Sequence, residues 1–362
     1  MAKIGHKDYV IDLACAEKKG LIIRKHALQS INAQSLKPLK KFGRYPDRMD
    51  MDNKIESTGF KYIADFIGGY AWGESACPLT KNLQIVRELV PEFPIPIAEN
   101  AAFFGYLRHG RPEKVGGSIC CCALSAGNNF YHWMVDHIPR YKLLKDAGLM
   151  EGCKIILSSY SGLSFQNESL QALDIPVRKI IKTERKTFLQ SDHIYYPSRP
   201  SRPPTVDAWA VGALRDIFLP EWPRKARRRA FISRRHARRR ILNEHNLEHL
   251  LKKYGIEIVE PECMTLKEQV RYFSECEWMV GAHGAALTHI VFTPPCSTLI
   301  EIHPWWDPAE CIKATAIQAQ AKYIYVAADP CLTAETPINR HTDIIVSEIA
   351  LKAAFEYAES IS

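Results

Sequence analysis

Apolar and polar positions follow a clear rhythm in the second half of the chain. Short apolar runs of strand length occupy residues 230–233, 256–259, 278–281 and 298–302 and predict buried strands. Segments at 244–254, 265–276 and 285–292 show the apolar spacing of helices. Thr265 and Glu268 form a capping-box signature at the start of the second of these. Alternating strands and helices favour a parallel sheet, so this half is predicted to be Rossmann-like.

A second pattern of the same kind covers residues 118–196. The runs SICCCALS and CKIILSSY predict strands, and the segment between them places Met134, Ile138 and Tyr141 on one helical face. A helix at 167–173 and strands at 177–181 and 193–196 are also predicted. This rhythm implies a largely parallel first sheet. Residues before about 100 are too weakly patterned to predict any element.

A proline-rich segment, PSRPSRPP at 197–204, separates the two patterned halves. This composition favours an extended linker, and a helix at 206–218 follows it. A chain of 362 residues suits two domains. We therefore predict an N-terminal lobe at 1–204, a C-terminal lobe at 205–344, and a final helix at 345–362 for which packing on the N-terminal lobe is one option.

Composition narrows the class of protein. With 46% hydrophobic and 24% charged residues, the chain is typical of globular proteins and not of disordered or fibrous ones. No apolar stretch of signal-peptide type follows Met1, and the longest apolar region, 278–302, contains histidines and a proline pair. We therefore expect no membrane span and a cytoplasmic location. The eleven cysteines lack CxxC spacing, which favours reduced, mostly buried thiols over disulfides or a zinc site.

The net charge of +8 is concentrated in one segment, which runs from Arg224 to Arg240. Ten of its seventeen residues are Lys or Arg and none is acidic. Such a segment suggests nucleic acid, an acidic membrane surface or the phosphates of a small ligand as partner. The arginines at 227–229 and 238–239 are interpreted as a solvated face.

The loop MVGAHGAA at 279–286 lies between a predicted strand and a predicted helix. Open α/β sheets bind ligands at this edge, and Gly284, Ala285 and the following helix would present free backbone N–H groups there. His283 adds a donor that can carry positive charge. Ser233, Arg234 and Arg235 follow another strand end, so both features predict an anion site. The alternative is an ordinary glycine turn with a hydrogen-bonded histidine.

In the first lobe, the segment NFYHWMVDH contains three titratable groups, His132, Asp136 and His137. His132 and Asp136 are four residues apart, so they share a helical face and could position a general base. The spacing does not match the HExxH zinc motif. A helix-surface pair without a catalytic role is the alternative.

An ordered set of motifs resembles glycosyltransferase family 61. The set comprises His132-Trp133 with Asp136, Pro139-Arg140, Ile232-Ser233-Arg234-Arg235, Asn243-Glu244, the Gln269 helix, Gly281-Ala282-His283-Gly284-Ala285 and Leu299-Ile300-Glu301. The resemblance implies a GT-B-like α/β fold with two Rossmann-like lobes facing a cleft. It also implies inversion at the anomeric carbon, a nucleotide-sugar donor, a glycan acceptor and no metal or other cofactor. We expect a UDP-linked donor and a role in bacterial capsule or lipopolysaccharide synthesis.

The family reaction and the residue pattern together predict two sets of site residues. Asp136, or failing it His132 or His137, would be the base. The donor-binding set is Ser233, Arg234, Arg235, Arg240, Glu244, His283, Gly284, Ala285 and Glu301.

Within the donor-binding set, Glu301 would accept hydrogen bonds from donor hydroxyls, or else form a salt bridge. Glu244 would brace Arg234 or Arg240. The rival predictions are a nucleic-acid-binding protein, a sugar-nucleotide epimerase and a nucleotide-binding pseudoenzyme. Peripheral membrane association and the oligomeric state stay open, and no nucleic-acid partner is expected.

Overall fold

The computed structural model describes residues 10–29, 40–42, 60–86, 89, 110–202, 205–220, 225–307, 309–331 and 338–362. The predictions for Arg224 and for Pro203 and Pro204 of the linker fall outside these ranges, as do about half of the first hundred residues. The described residues form two compact units. The first contains residues 10–29 and 60–200, and the second contains residues 40–42 and everything from Ser201 onward.

The structure is of mixed α/β type. In chain order the strands are β1 Val10–Ile11, β2 Ile22–Gln29, β3 Lys40–Phe42, β4 Phe60–Ile67, β5 Tyr70–Trp72, β6 Cys77–Leu79, β7 Ile85–Val86, β8 Glu113–Cys121, β9 Ile155–Ser158, β10 Ile180–Lys182, β11 Phe188–Pro197, β12 Ser201–Arg202, β13 Thr205–Val206, β14 Arg228–Ile232, β15 Glu257–Val259, β16 Cys276–Ala282, β17 Thr298–Pro304, β18 Lys322–Pro330 and β19 Ile344–Val346. The α-helices are α1 Leu13–Lys18, α2 Phe130–His132, α3 Ile138–Asp146, α4 Leu149–Gly152, α5 Ser164–Ala172, α6 Ala208–Phe218, α7 Glu248–Lys253, α8 Leu266–Phe273, α9 Cys311–Gln318 and α10 Glu348–Ser360. A π-helical turn, Trp133–His137, joins α2 to α3, and 3₁₀ turns cover Val177–Lys179, Glu244–Leu247, Pro261–Cys263 and Ala285–Phe292.

The first unit is built on a ten-stranded mixed sheet. Its strands β8, β9 and β10 are parallel neighbours, and β11 is parallel to β8 on the other side. Strands β4 to β6, for which the sequence predicts nothing, pair mainly antiparallel, and β11 is antiparallel to both β4 and β5. The expectation of a largely parallel first sheet therefore holds for β8 to β11 and is wrong for β2 and β4 to β6, because short strands joined by tight turns can pair antiparallel.

The second unit has a seven-stranded sheet in the order β15-β14-β16-β17-β18-β19, and β3 also pairs with β18. The pairs from β15 to β18 are all parallel, as the alternating pattern predicts. The predicted capping box is present, because the Thr265 hydroxyl accepts from the Glu268 backbone N–H while the Glu268 carboxylate accepts from the Thr265 N–H. Strand β3 shows that the second unit draws on chain before the proline-rich segment.

The core of the second unit includes the C-terminal helix. On α10, Leu351, Ala354 and Phe355 are fully buried in one cluster with Phe231 and Trp278 of the sheet. Helix α10 therefore packs within its own unit, whereas the sequence left packing on the N-terminal lobe as an option.

All eleven cysteines are free thiols, and two of them, Cys263 and Cys296, are exposed. In the described part of the chain no helix is long and apolar enough to cross a membrane.

We expect Phe355→Ala to lower the free energy of unfolding of the second unit by about 3–5 kcal/mol, the usual cost of deleting a buried aromatic ring. The ring lies 5.1 Å from Tyr254 and 6.1 Å from Trp278, centroid to centroid, so the cavity would be lined on two sides. Urea unfolding followed by tryptophan fluorescence measures the change. Ile349→Ala on the same helix is the matched control, because Ile349 is 82% exposed. Equal midpoints for the two variants would contradict this packing.

Candidate active site

The register of the second sheet brings three strand ends together. Ile232 of β14 lies opposite Gly281 of β16, and Gly281 lies opposite Glu301 of β17. Because the strands are parallel, the residues that follow, Ser233 and His283, emerge at the same carboxyl edge. The two predicted parts of the anion site, the segment after Ile232 and the loop that carries His283, therefore lie at the same edge of the sheet.

The guanidinium group of Arg234 lies directly against Gly284. A Cβ atom added to Gly284 would stand 2.1 Å from Arg234 Nη1 and 3.0 Å from Cζ, so no larger residue fits there unless the arginine moves. The backbone of Gly284 is extended, with φ 166°, so space and not conformation requires glycine. Arg234 is held in place by its hydrogen bonds to the backbone carbonyls of Arg238 and Arg239.

Arg234 forms no salt bridge with a carboxylate among the described residues, although the charge of Glu262 acts on it. Burial and the nearby Arg239 lower its pKa to about 10, which leaves it protonated at neutral pH. A partly buried cation that bonds only to carbonyls is costly in isolation. Binding an anion beside it would offset that cost, and a guanidinium group suits phosphate oxygens.

His283 and Glu301 form a buried pair. His283 Nδ1 lies 2.5 Å from Glu301 Oε1, and the Tyr323 hydroxyl donates to Glu301 Oε2 at 2.6 Å. Glu301 is 1% exposed. Burial raises the pKa of this carboxyl, but His283, His303 and the Tyr323 hydrogen bond together hold it below its usual value. The contact with His283 corresponds to the salt-bridging alternative for Glu301, and the contact of Glu301 with donor hydroxyls stays a prediction.

Three residues of this edge are absent from the predicted sets of site residues: Arg239, His303 and Tyr323. His303 follows Glu301 by two positions on β17, so strand periodicity alone could have placed it on the same face. Its ring lies 4.5 Å from that of His283, centroid to centroid. Nothing in the local sequence identifies Tyr323, because only the pairing of β17 with β18 brings it to Glu301.

His283, Glu301 and His303 are metal-ligand residue types whose donor atoms lie within 4.8 Å of one another. Their donor atoms are already engaged, however. His303 Nδ1 and Nε2 lie 2.9 Å and 3.0 Å from the carbonyls of Pro304 and Ala309, and His283 Nδ1 bonds to Glu301. A metal ion would have to replace these hydrogen bonds, so the arrangement fits a hydrogen-bond network better than an ion site.

Four other members of the predicted donor-binding set form ion pairs or internal hydrogen bonds. Ser233 donates to Glu244 Oε1 at 2.8 Å, and Arg235 pairs with the same oxygen at 2.7 Å and with Glu248 at 2.8 Å. Arg240 pairs with Asp343 at 2.7 Å. Glu244 thus braces Arg235 and Ser233, and the prediction that it braces Arg234 or Arg240 is wrong.

The basic segment is extensively paired with acidic residues. Salt bridges join Arg227 and Arg228 to Glu275, Arg228 to Glu257, and Arg229 to Glu277 and Glu359. The Arg227 side chain is 61% exposed, as a solvated face predicts, whereas Arg228 and Arg229 are only 33% and 24% exposed.

The prediction of a solvated face is wrong for Arg239, which is only 8% exposed. Arg239 donates to the backbone carbonyl of His283 at 3.2 Å and pairs with Asp307 at 3.1 Å. It therefore braces the loop that carries His283.

The first unit contains a separate histidine–carboxylate pair. Asn129 caps the helix by accepting from the Tyr131 and His132 N–H groups, and the π-helical turn then sets the spacing of the residues that follow. His132 Nδ1 lies 2.7 Å from Asp136 Oδ2. The His132 side chain is 34% exposed and that of Asp136 only 7%, so the histidine is the member that can reach a ligand. Single π turns are frequent at functional sites.

His137, the third candidate base, is fully buried and stacks on Trp133 at 5.2 Å. Burial lowers its pKa to about 4, although the neighbouring Asp136 opposes this shift. Arg140 belongs to helix α3, which follows directly, and its side chain donates to the carbonyls of Cys121, Cys122, Ala123 and Pro197. His137 thus has the surroundings of a structural residue.

These features define an α/β protein. At the carboxyl edge of its second sheet lie an arginine without a salt bridge among the described residues, Arg234, and the glycine loop that carries His283. Residues 130–300 match the family model described as Glycosyltransferase 61. The resemblance predicted from the ordered motifs is therefore confirmed: this segment of the chain is similar to glycosyltransferase family 61.

Individual relatives match shorter stretches. The chain is 34% identical over 101 residues to alpha-1,3-arabinosyltransferase XAT3 of Oryza sativa subsp. japonica. It is 31% identical over 104 residues to the EGF domain-specific O-linked N-acetylglucosamine transferase of Drosophila melanogaster, and 44% identical over 54 residues to beta-1,2-xylosyltransferase of Arabidopsis thaliana. These matches cover 27%, 28% and 14% of this chain, and 17%, 20% and 10% of the relatives.

We expect acid to destabilise the protein through His137 and His289. Burial lowers the pKa of each to about 4, against about 6.5 in the unfolded chain. Between these values the unfolded state binds more protons, so stability falls as the pH drops from 6.5 to 4, by roughly 3 kcal/mol for each histidine. Urea midpoints at pH 7 and pH 5 measure this loss.

His137→Phe keeps an aromatic ring against Trp133 but cannot titrate, so the loss on acidification should be smaller in this variant. His249→Gln is the control, because the His249 side chain is 66% exposed. An identical acid response in the His137 variant and the wild type would contradict the buried, neutral state.

Proposed function

We propose that the protein is a glycosyltransferase that moves a sugar from a nucleotide-sugar donor to a hydroxyl group of a glycan. One observation carries the proposal: Arg234, without a salt bridge among the described residues, lies against Gly284 beside His283 at the carboxyl edge of a parallel sheet. The similarity of residues 130–300 to family 61, and relatives named as arabinosyl-, xylosyl- and N-acetylglucosamine transferases, support sugar transfer.

In this proposal the second unit binds the diphosphate of the donor. Arg234 offers a charged fork of N–H groups, His283 offers a ring nitrogen, and the loop residues Gly284 and Ala285 are partly exposed, so their backbone can approach a ligand. These groups stabilise the negative charge that develops on the leaving nucleotide as the glycosidic bond breaks. We propose a UDP-linked donor and no obligatory metal, since protein cations supply the positive charge.

We propose His132 as the base and Asp136 as the residue that positions it. A carboxylate accepts hydrogen bonds, so Asp136 holds the proton of His132 on Nδ1 and leaves Nε2 free to accept one. His132 takes the proton of the acceptor hydroxyl as that oxygen attacks the anomeric carbon and the nucleoside diphosphate leaves. Attack from the face opposite the leaving group inverts the anomeric centre. The mechanism requires base and diphosphate on opposite faces of the sugar, and the GT-B arrangement stays a prediction.

The acceptor and the cellular setting are also proposals. We propose a bacterial surface-polysaccharide acceptor from the sequence resemblance, and a cytoplasmic location from the hydropathy pattern of the sequence. The relatives are plant and animal proteins, and their names support transfer of pentoses or N-acetylglucosamine without pointing to one acceptor. We therefore propose a nucleotide-sugar panel that begins with UDP-linked pentoses and N-acetylhexosamines.

The nucleic-acid rival is less favoured by the charges of the basic segment. An electrostatic footprint for a phosphate backbone requires several free cations on one surface. Here Arg227, Arg228, Arg229, Arg235 and Arg240 are all paired with carboxylates. Such pairing leaves a site for one or two phosphates and not a track for a polymer.

Arg234→Ala should weaken UDP binding by about 10- to 100-fold, because a hydrogen bond to a charged group is worth roughly 1.5–3 kcal/mol. Calorimetry in buffer that contains EDTA measures affinity and tests metal independence together. Arg227→Ala is the matched control, because Arg227 is paired with Glu275 and precedes β14, at the end of the strand opposite to Ser233. Unchanged affinity in the Arg234 variant, or wild-type binding abolished by EDTA, would contradict the corresponding part of the proposal.

His132→Ala and Asp136→Asn should each lower the transfer rate by about 10²- to 10⁴-fold, the usual contribution of a positioned base, with UDP affinity unchanged. The first unit supplies a matched control, because His193 Nδ1 lies 3.0 Å from the buried Asp65 in a similar pair. His193→Ala should keep nearly full activity. If His132→Ala retains most of its rate while Asp136→Asn does not, then Asp136 itself is the base. A pseudoenzyme would show UDP binding without donor hydrolysis or transfer.

A further inference from the structure

Both oxygens of the Glu301 carboxylate already accept a hydrogen bond from a neighbouring side chain. His283 Nδ1 lies 2.5 Å from Oε1, and the Tyr323 hydroxyl donates to Oε2 at 2.6 Å. The side chain is 1% exposed, so water does not compete for either oxygen. The charge of Glu301 is therefore directed at His283.

This arrangement determines which nitrogen of His283 carries the proton. An ionised carboxylate only accepts hydrogen bonds, so Nδ1 must be the protonated nitrogen. Nε2 has no hydrogen-bond partner among the described residues, and it is not one of the buried unpaired polar atoms found there. Nε2 is therefore the ring nitrogen open to the surface, where the whole side chain keeps 9% exposure.

Charged groups on several elements act on His283 in opposite directions. Glu301 favours a second proton on the ring, whereas neighbouring cations oppose it. Arg239 donates to the His283 carbonyl and Arg234 lies across Gly284, whereas burial lowers the pKa of His303, whose ring is 4.5 Å away. The other titratable groups around this network are Tyr323, Tyr325, Asp307 and Cys311. Glu301 is the carboxylate that bonds to the ring, and it opposes the two guanidinium charges there.

We propose that Glu301 and Tyr323 are positioning residues, which hold His283 with Nδ1 protonated and Nε2 directed at the bound diphosphate. The inference rests on the proposed nucleotide site. Tyr323 fixes the carboxylate, the carboxylate fixes the imidazole, and the diphosphate draws a second proton onto Nε2. Binding of the nucleotide is then coupled to uptake of a proton, so affinity rises as the pH falls.

The low pKa of Glu301 is consistent with this role. Burial alone would raise the pKa, but His283, His303 and the Tyr323 hydroxyl hold it below its ordinary value, so the carboxylate stays ionised throughout the neutral range. A neutral glutamine at this position keeps the shape and one acceptor oxygen but supplies no charge. Glu301→Gln therefore separates the electrostatic role of the side chain from its packing.

The first test reads the ring directly and needs no ligand. Nitrogen-15 NMR of histidine-labelled protein should show the wild-type His283 as the Nδ1–H tautomer at pH 8, with His283→Gln used to assign the signal. In Glu301→Gln the preference for the Nδ1–H tautomer should weaken, because the ionised acceptor that bonds to Nδ1 is gone. A wild-type ring protonated on Nε2 instead, or a tautomer preference that is identical in both proteins, would overturn the positioning role.

The second test measures UDP affinity by calorimetry at pH 6.5 and pH 8.0. Glu301→Gln should bind about 10-fold more weakly than wild type at pH 6.5, a loss of about 1.4 kcal/mol, and should lose most of the pH dependence. Comparison with wild type at each pH cancels the titration of the nucleotide itself. Tyr323→Phe removes only a hydroxyl group and should shift affinity in the same direction by a smaller factor, about 2- to 5-fold.

Two control variants remove the same chemical groups elsewhere in the second unit. Tyr272→Phe deletes a hydroxyl that donates to Glu257 at 2.8 Å, and Glu275→Gln removes a carboxylate that pairs with Arg227. Both should bind UDP as wild type does.

The outcomes distinguish this inference from the proposed function. If wild type binds UDP and the Glu301 and Tyr323 variants keep its affinity and pH profile, the positioning role is wrong and the nucleotide site stands. If wild type binds no nucleoside diphosphate, both fail together. Should Glu301→Gln not fold, Tyr323→Phe decides the question alone, because unchanged UDP affinity and pH profile in that variant would overturn the inference.

Discussion

The parallel register of β14, β16 and β17 is the constraint on which the rest of the candidate site depends. It sets Ile232, Gly281 and Glu301 side by side, so that the residues after each strand leave the sheet at one edge. A shift of one position would turn Glu301 to the other face and separate it from His283. Two glycines allow close packing at this edge. A Cβ atom added to Gly281 would stand 3.2 Å from Leu287 Cδ2 and 3.3 Å from Ile232 Cβ, and the absence of a side chain at Gly284 leaves room for Arg234.

The distribution of charge explains how a basic segment becomes a small anion site. Most of its arginines meet a carboxylate from a neighbouring strand or helix, and exposed pairs of this kind contribute little to stability. Arg234 differs because its hydrogen bonds go to backbone carbonyls, which orient the guanidinium group without cancelling its charge. The charge of Arg234 thereby lies against Gly284, next to the loop that carries His283.

Each unit contains a histidine bonded through Nδ1 to a carboxylate, but the surroundings differ. His132 is 34% exposed and its partner Asp136 has an ordinary helical spacing, which suits a group that must meet a substrate hydroxyl. His283 is 9% exposed, its partner is fully buried, and two guanidinium groups lie near it, which suits a group that binds an anion. The same pair of residue types can therefore serve a base in one environment and an anion-binding donor in another.

The sequence by itself determined the elements whose signals are local. The strands from residue 228 to 304, the capping box at Thr265, the His132–Asp136 pair and the family motifs could be identified, because periodicity and spacing act over a few residues. Only the tertiary structure decided which partner each charged side chain of the second unit bonds to. Arg239 bonds to Asp307, and Glu301 to Tyr323, across long stretches of chain, and β3 joins the second sheet from before the linker. Such contacts depend on strand order and register, which no local pattern encodes.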